Sequence, residues 1–124
     1  THFGFWMLMA VFTVPAMIFS PIGEEIFYRG VLQKTLEQKL SVWRSTVIES
    51  GLFALVHLCH HGFARTTMGL EFMPMPALLW MALIFCVGLM FSWLRIASGS
   101  LYIPIVSHMV FNLVMNLMIF LFLW

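Results

Sequence analysis

The chain has 124 residues and a net charge of +1, and 62% of its residues are hydrophobic while only 9% are charged. A typical soluble domain has roughly 25% charged residues, so a water-soluble fold of this size would lack the polar side chains to cover its surface. The balanced charge excludes a strongly basic or acidic surface. We therefore expect a single membrane-embedded unit that contacts the lipid bilayer and binds no nucleic acid.

The first half of the chain predicts one spanning helix followed by two less apolar helices. Phe5–Ser20 is apolar enough to span and is ended by Pro21 and Gly23. Glu24–Leu40 begins with acidic residues and ends with lysines, which is the order that the helix dipole favours. Trp43–His61 is mostly apolar but carries several ionisable residues.

The second half predicts a loop and two more spanning helices. Gly62–Pro76 contains charges and prolines and is expected to be a loop. Ala77–Leu94 and Ile103–Trp124 are each close to the ~20 residues needed to cross a bilayer. The predicted fold is all-α, a polytopic transmembrane bundle of about four to five helices around a polar intramembrane chamber.

The basic residues predict an orientation in the membrane. Lys34, Lys39 and Arg44 cluster at one turn, Arg95 flanks a later one, and Arg65 lies alone on the opposite side if each of the last three helices crosses once. The positive-inside rule then makes the first side cytoplasmic.

Ionisable groups in spanning helices are costly and mark candidate functional sites. In the first such cluster, Glu25 and Arg29 are four residues apart and can pair on one helical face. Glu24 points in another direction, about 100° away, and is available for proton transfer. The structural alternative is an ordinary helix start with acidic residues in its first turn.

The second cluster lies near the end of one helix. His57 shares a stripe with Phe53 and Glu49, and His60 and His61 follow it closely. The structural alternative is a core histidine bonded to a backbone carbonyl. A metal site is a further alternative because His57 and His61 have ligand spacing, although the His-Glu-x-x-His signature is absent.

The third cluster places His108 and Asn112 four residues apart on one face of an apolar helix. Both side chains can donate hydrogen bonds into a shared cavity. The structural alternative is hydrogen bonding between helices, which is the expected role of Asn116, one turn further along.

The three clusters in this order resemble the CPBP family, which comprises CAAX proteases and bacteriocin-processing enzymes and is also called the Abi family. The resemblance spans residues 24 to 112, and the surrounding "GEEIFYRGVLQ" is also typical. The matching residues are Glu24, Glu25, Arg29, Phe53, His57, His108 and Asn112.

The resemblance implies an intramembrane endopeptidase in a bacterial cell membrane. Glu24 and His57 would activate a water molecule, and His108 and Asn112 would stabilise the tetrahedral oxyanion. The family has been described both as glutamic-type and as metallopeptidase, so a divalent ion such as zinc on Glu24, His57 and His108 stays open. The implied substrate is a peptide or membrane protein, including one with a lipidated C-terminus.

In this comparison Glu25, Arg29 and Phe53 have supporting roles. Family members usually carry further helices upstream, so we expect residues 1–124 to be the peptidase core of a longer chain. One geometric difficulty remains: if every helix crosses fully, His57 and His108 differ in depth by about 15 Å.

Two other functions remain open at this stage. A small membrane bundle in which His57 and His108 ligate haem would serve electron transfer, but it gives Glu24, Glu25 and Arg29 no role. A catalytically silent scaffold or immunity protein would keep the fold without the reaction.

Overall fold

The first third of the chain is one nearly continuous helix in the computed structural model, which describes residues 2–59 and 62–122. α1 (His2–Glu25) passes into a π-helical segment, Ile26–Leu32, and then into α2 (Gln33–Glu37). The predicted helix end at Pro21 and Gly23 is wrong, because α1 runs through both residues. Membrane helices tolerate proline where neighbouring groups satisfy the freed backbone carbonyl.

α3 (Val42–Val56) is a short helix whose first turn is capped by Ser41, which accepts a hydrogen bond from the backbone N–H of Arg44. It ends in a 3-10 turn, His57–Cys59. The predicted helix Trp43–His61 is therefore too long, and its last two residues lie outside the described part of the chain.

A β-hairpin occupies the segment that was expected to be a loop, so that expectation is wrong. β1 (Phe63–Thr66) pairs antiparallel with β2 (Gly69–Phe72). The turn uses Gly69 with a φ of +124°, a conformation that favours glycine. Strands of four residues are too short to give a clear alternation in the sequence.

Two long helices complete the bundle: α4 (Pro74–Ser98) and α5 (Tyr102–Phe122). α5 packs against α1, and α3 packs against α4. Within the described residues, three helices are long and apolar enough to cross a membrane: Gly4–Glu37, Pro74–Ser98 and Tyr102–Phe122. The predicted all-α membrane bundle with three spanning segments is confirmed, apart from the small hairpin.

The interior of the bundle is more polar than its outer face. Large apolar side chains such as Phe19 and Trp93 are exposed, whereas Glu25, Arg29 and Glu49 are fully buried. Buried charges need partners close by, and the elements that carry these three side chains meet at the same place. That meeting point is the candidate site.

Candidate active site

The carboxylate of Glu24 lies between two imidazole rings. Its Oε2 atom is 3.6 Å from Nε2 of His57 and 3.8 Å from Nε2 of His108. Its other oxygen, Oε1, accepts a hydrogen bond from the hydroxyl of Ser20, one turn earlier on α1. Ser20 thereby fixes the carboxylate so that Oε2 faces both histidines.

The depth difference that a full crossing of every helix would give to the two histidines is not present in the structure. Both Nε2 atoms lie within 4 Å of the same oxygen of Glu24, so His57 and His108 are at one level of the bundle. The reason is that α3 has only 15 residues and is not among the spanning helices. The expected difference assumed that α3 crosses the whole bilayer, and the rise per residue of such a helix would separate His57 from His108.

His57 is held by its own helix. Its Nδ1 is 2.7 Å from the backbone oxygen of Phe53, and the two rings pack with centroids 4.4 Å apart. A carbonyl oxygen only accepts, so Nδ1 carries the hydrogen and donates it. In the neutral ring Nε2 is then an acceptor that faces Glu24, and two facing acceptors suit a shared proton or a water molecule.

His108 is fixed from three sides. Its Nδ1 is 2.8 Å from Oε1 of Glu25, its ring stacks on Phe91 at 4.7 Å, and the ring of Phe53 meets it edge-on at 5.9 Å. The side chain is almost fully buried. A carboxylate behind Nδ1 orients the imidazole and fixes the hydrogen on Nδ1.

Behind His108 lies a buried ion cluster made of Glu25, Arg29 and Glu49. Nη1 of Arg29 is 3.0 Å from Glu25, and Nε of Arg29 is 3.3 Å from Glu49. Nη2 of Arg29 donates to the backbone oxygen of Gly88 at 3.0 Å, and the guanidinium lies 4.5 Å from the ring centroid of Phe53. The predicted pairing of Glu25 with Arg29 is confirmed.

Asn112 ties α5 to α1. Its amide nitrogen donates to the backbone oxygen of Ala16 at 2.9 Å, which matches the alternative of a hydrogen bond between helices. That bond uses one of the two N–H groups of the amide. Asn116 donates to the backbone oxygen of Asn112 at 2.8 Å, so it bonds within its own helix.

These side chains surround a cavity of about 190 Å³, which has room for several water molecules. The predicted catalytic residues all line it, and so does Phe53, while Glu25 and Arg29 lie behind its wall. The lining residues are Ala16, Ser20, Glu24, Phe53, His57, Trp80, Ile84, Val87, His108, Phe111, Asn112, Met115 and Asn116.

Two polar residues of the site were not identified from the sequence. Ser20 was placed in a helix that ended before Glu24, although the i, i+4 spacing of the two residues was visible. Glu49 was noticed on the stripe with His57 but was given no role. Its contact with Arg29 joins residues that are 20 positions apart, and no local pattern predicts such a contact.

The donor atoms have the right chemistry for zinc, since Glu24, His57 and His108 offer one carboxylate and two imidazoles. Their arrangement does not fit: across residues 2–59 and 62–122, no three His, Cys, Asp or Glu side chains are grouped so as to hold a metal ion. The pair His57 and His61 cannot be placed, because His61 lies outside the described residues.

Comparison with known proteins shows which family the chain belongs to. A curated protein of Escherichia coli, described as an uncharacterized 24.3 kDa protein, is 30% identical over 94 residues, which are 74% of this chain and 36% of that protein. The chain thus spans about a third of that relative's length. No solved structure matches the chain. The model of the family described as type II CAAX prenyl endopeptidase Rce1-like matches residues 5–114. The chain, an integral membrane protein, therefore belongs to the Rce1-like family of type II CAAX prenyl endopeptidases.

Proposed function

We propose that this protein is an intramembrane endopeptidase that cleaves a peptide bond with a water molecule activated by Glu24 and His57. The observation that carries the proposal is the position of the Glu24 carboxylate, whose Oε2 faces Nε2 of both His57 and His108 inside a cavity between helices. Membership of a peptidase family supports it. The relative from Escherichia coli supports a bacterial cell membrane as the location.

The first step of the proposed reaction is proton abstraction. A water molecule in the cavity beside Glu24 and His57, within hydrogen-bond reach of both, donates its hydrogens to Oε2 and to Nε2, which lie 3.6 Å apart. Glu24 takes one proton as the oxygen of the water attacks the carbonyl carbon of the substrate. A tetrahedral intermediate with a negative oxygen results.

The second step is stabilisation of that oxygen by hydrogen-bond donors. Nδ1 of His108 is engaged by Glu25, so His108 donates from Nε2 only when both ring nitrogens carry hydrogens. Asn112 supplies its remaining N–H. Collapse of the intermediate then returns the proton from Glu24 to the leaving amine.

We propose the glutamic-type mechanism rather than the metallopeptidase one. In the described residues the three candidate ligands are not grouped as a metal site, and Glu24 is already held by Ser20. Each role above can be filled by a side chain of this protein. Activity that survives dialysis against a strong chelator is the expected result, and activity that returns only with added zinc would refute this assignment.

For the substrate we propose a peptide or membrane protein with a lipidated C-terminus. The family description names prenyl endopeptidases. An apolar groove of about 530 Å³ between α4 and α5 shares Trp80, Phe111 and Met115 with the wall of the cavity. A groove of this size and polarity suits a hydrocarbon chain attached close to the peptide bond that is cleaved.

The haem alternative is not supported by the positions of the histidines. Oε2 of Glu24 lies within 4 Å of Nε2 in both His57 and His108, so a carboxylate occupies the place that a shared haem iron would need. The inactive-scaffold alternative predicts no turnover at all. It also gives no reason for a buried Arg29 to hold a carboxylate against His108.

The experiment uses the full-length protein in proteoliposomes with three fluorogenic peptides of one sequence: farnesylated, acylated with a saturated chain, and unmodified. We expect the lipidated peptides to be cleaved and the Glu24→Gln variant to cleave none. Cleavage of all three peptides at one rate would support the peptidase activity but refute the proposed preference for lipidated substrates. No cleavage of any peptide, or of membrane-protein substrates in cells, would refute the proposed function.

A further inference from the structure

Trp80 of α4 connects the cavity of the candidate site to the outer surface of the bundle. Its side chain is half-buried and lines the polar cavity together with Glu24 and His57. The same side chain lines the apolar groove of about 530 Å³ between α4 and α5. It also lines a smaller apolar pocket of about 260 Å³, in which Leu79 and Leu83 are exposed. The indole therefore borders both the site of the proposed reaction and the proposed site of the lipid.

The indole N–H of Trp80 is bonded to the backbone of His57. Nε1 donates a hydrogen bond to the backbone oxygen of His57 at 3.1 Å. α3 ends at Val56 and passes into the 3-10 turn His57–Cys59. The last carbonyls of an α-helix lack partners within the helix. The bond from α4 therefore fixes the backbone at the point where the α-helical hydrogen bonds of α3 stop.

This backbone bond bears on the geometry of the proposed reaction, because the imidazole of His57 is attached to the same residue. Nδ1 of the ring is 2.7 Å from the backbone oxygen of Phe53, and Nε2 is 3.6 Å from Oε2 of Glu24. The contact with Phe53 fixes the direction of the ring, but the position of Nε2 also depends on where the backbone of His57 lies. A misplacement of about 1 Å can cost roughly 100-fold in rate.

We propose that Trp80 is a positioning residue through which a substrate lipid in the groove improves the placement of His57. A hydrocarbon chain packed against the indole limits rotation of the ring and keeps Nε1 directed at the backbone oxygen of His57. Binding energy from a remote part of a substrate can be used in this way to align reacting groups, and a truncated substrate then loses kcat as well as affinity. The inference rests on the proposed function, and it assigns the preference for lipidated substrates to Trp80.

The activity test compares Trp80→Phe with a matched control, Trp93→Phe. Phenylalanine at position 80 keeps an aromatic ring beside the groove but has no N–H to donate to His57. Trp93 lies on the same helix, is 63% exposed and lines neither the cavity nor the groove. Both variants are made in the full-length protein in proteoliposomes, and kcat and KM are measured with the farnesylated and the unmodified peptide. The thermal midpoint reports the effect of each substitution on the fold.

For Trp80→Phe we expect kcat on the farnesylated peptide to fall roughly 10- to 100-fold, as when partners that orient the ligands of metal sites are removed. KM should change little, because an aromatic ring still lines the groove. The kcat advantage of the farnesylated over the unmodified peptide should shrink by the same factor. Trp93→Phe should keep the wild-type values. Full kcat of Trp80→Phe on the farnesylated peptide, or an equal loss on both peptides, would overturn the inference.

A second measurement needs no turnover and separates this inference from the peptidase proposal. Hydrogen exchange of the indole N–H groups is followed by NMR of 15N-tryptophan-labelled, full-length Glu24→Gln protein in nanodiscs, and adding Trp80→Phe identifies the Trp80 signal. The farnesylated peptide should slow the exchange of Trp80, the unmodified peptide should not, and Trp93 should respond to neither.

Equal exchange of Trp80 with both peptides, as when bilayer lipids already fill the groove, would overturn the inference even if the protein is a peptidase. Slower exchange with the farnesylated peptide alone, in a protein whose wild type cleaves nothing, would support the link between the groove and His57 and refute the peptidase.

Discussion

Replacing Glu25 by glutamine tests whether this residue serves the reaction or only the fold. Oε1 of Glu25 accepts hydrogen bonds from Nη1 of Arg29 at 3.0 Å and from Nδ1 of His108 at 2.8 Å. Glutamine keeps a carbonyl oxygen in the same place but carries no charge. The substitution therefore removes the negative charge that faces Arg29 and His108 with little change in shape.

The stability cost of Glu25→Gln should be modest. Removing one partner of a buried ion pair typically costs about 3–5 kcal/mol, because the other charge is left alone. Here Arg29 keeps Glu49 at 3.3 Å and the carbonyl of Gly88 at 3.0 Å. The loss should then be close to that of hydrogen bonds to charged groups, about 1.5–3 kcal/mol.

The catalytic cost should be larger than the stability cost. Without the carboxylate of Glu25, the hydrogen bond that orients the His108 ring is weaker, and His108 becomes a poorer donor to the oxyanion. Loss of one oxyanion donor costs ~2.7–4 kcal/mol, or roughly 100- to 1,000-fold in kcat. KM should change little, because the interaction strengthens mainly in the transition state.

The assay measures kcat, KM and the thermal midpoint of the full-length protein in proteoliposomes. Gln33→Leu is the control, because Gln33 is buried four residues after Arg29 and its amide nitrogen donates a hydrogen bond to the hydroxyl of Thr46. We expect both variants to melt earlier and only Glu25→Gln to lose kcat. A turnover of Glu25→Gln within about threefold of the wild type would refute the link between Glu25 and His108, since far larger losses follow from removing a true donor.

Three further predictions test other parts of the proposal. Glu24→Gln should abolish cleavage at a near-normal protein level, since glutamine keeps the size and the contact with Ser20, and full turnover of this variant would exclude Glu24 as the base. Asn112→Ala should lower kcat by roughly 100- to 1,000-fold. Asn116→Ala should lower kcat far less, because Asn116 bonds within its own helix. Equal losses from both substitutions would mean that Asn112 only joins helices. The protein should stay with membranes after alkaline carbonate washing because of its three spanning segments, and recovery in the soluble fraction would contradict the architecture.

Contacts within one helix could be predicted from the sequence, because the spacing of residues along a helix is a local property. Glu25 and Arg29 are one helical turn apart, and they pair as expected. The expectation that Glu24, His57 and His108 share a chamber rested on family resemblance, and the structure brings all three to one cavity. Their catalytic roles stay predictions.

Other features depended on contacts between distant segments and were missed. The helix continues through Pro21 because the backbone that proline frees lies among packed helices, a condition that the local sequence does not reveal. Glu49 reaches Arg29 only because α3 and the π-helical segment pack side by side. Gly88 contributes by its size: a Cβ atom there would lie 3.1 Å from Cβ of Ser50 and 3.4 Å from Nη2 of Arg29.

The helix that carries Glu24 is longer than a bilayer is thick. Gly4–Glu37 has 34 residues, which corresponds to about 50 Å at an α-helical rise, against ~30 Å for the hydrocarbon core. A helix of this length either extends beyond the hydrocarbon core or crosses it with a tilt. Tilt couples the depth of Glu24 to the local membrane thickness. In the proposed reaction, the level at which a substrate presents its peptide bond would therefore depend on the surrounding lipids as well as on the protein.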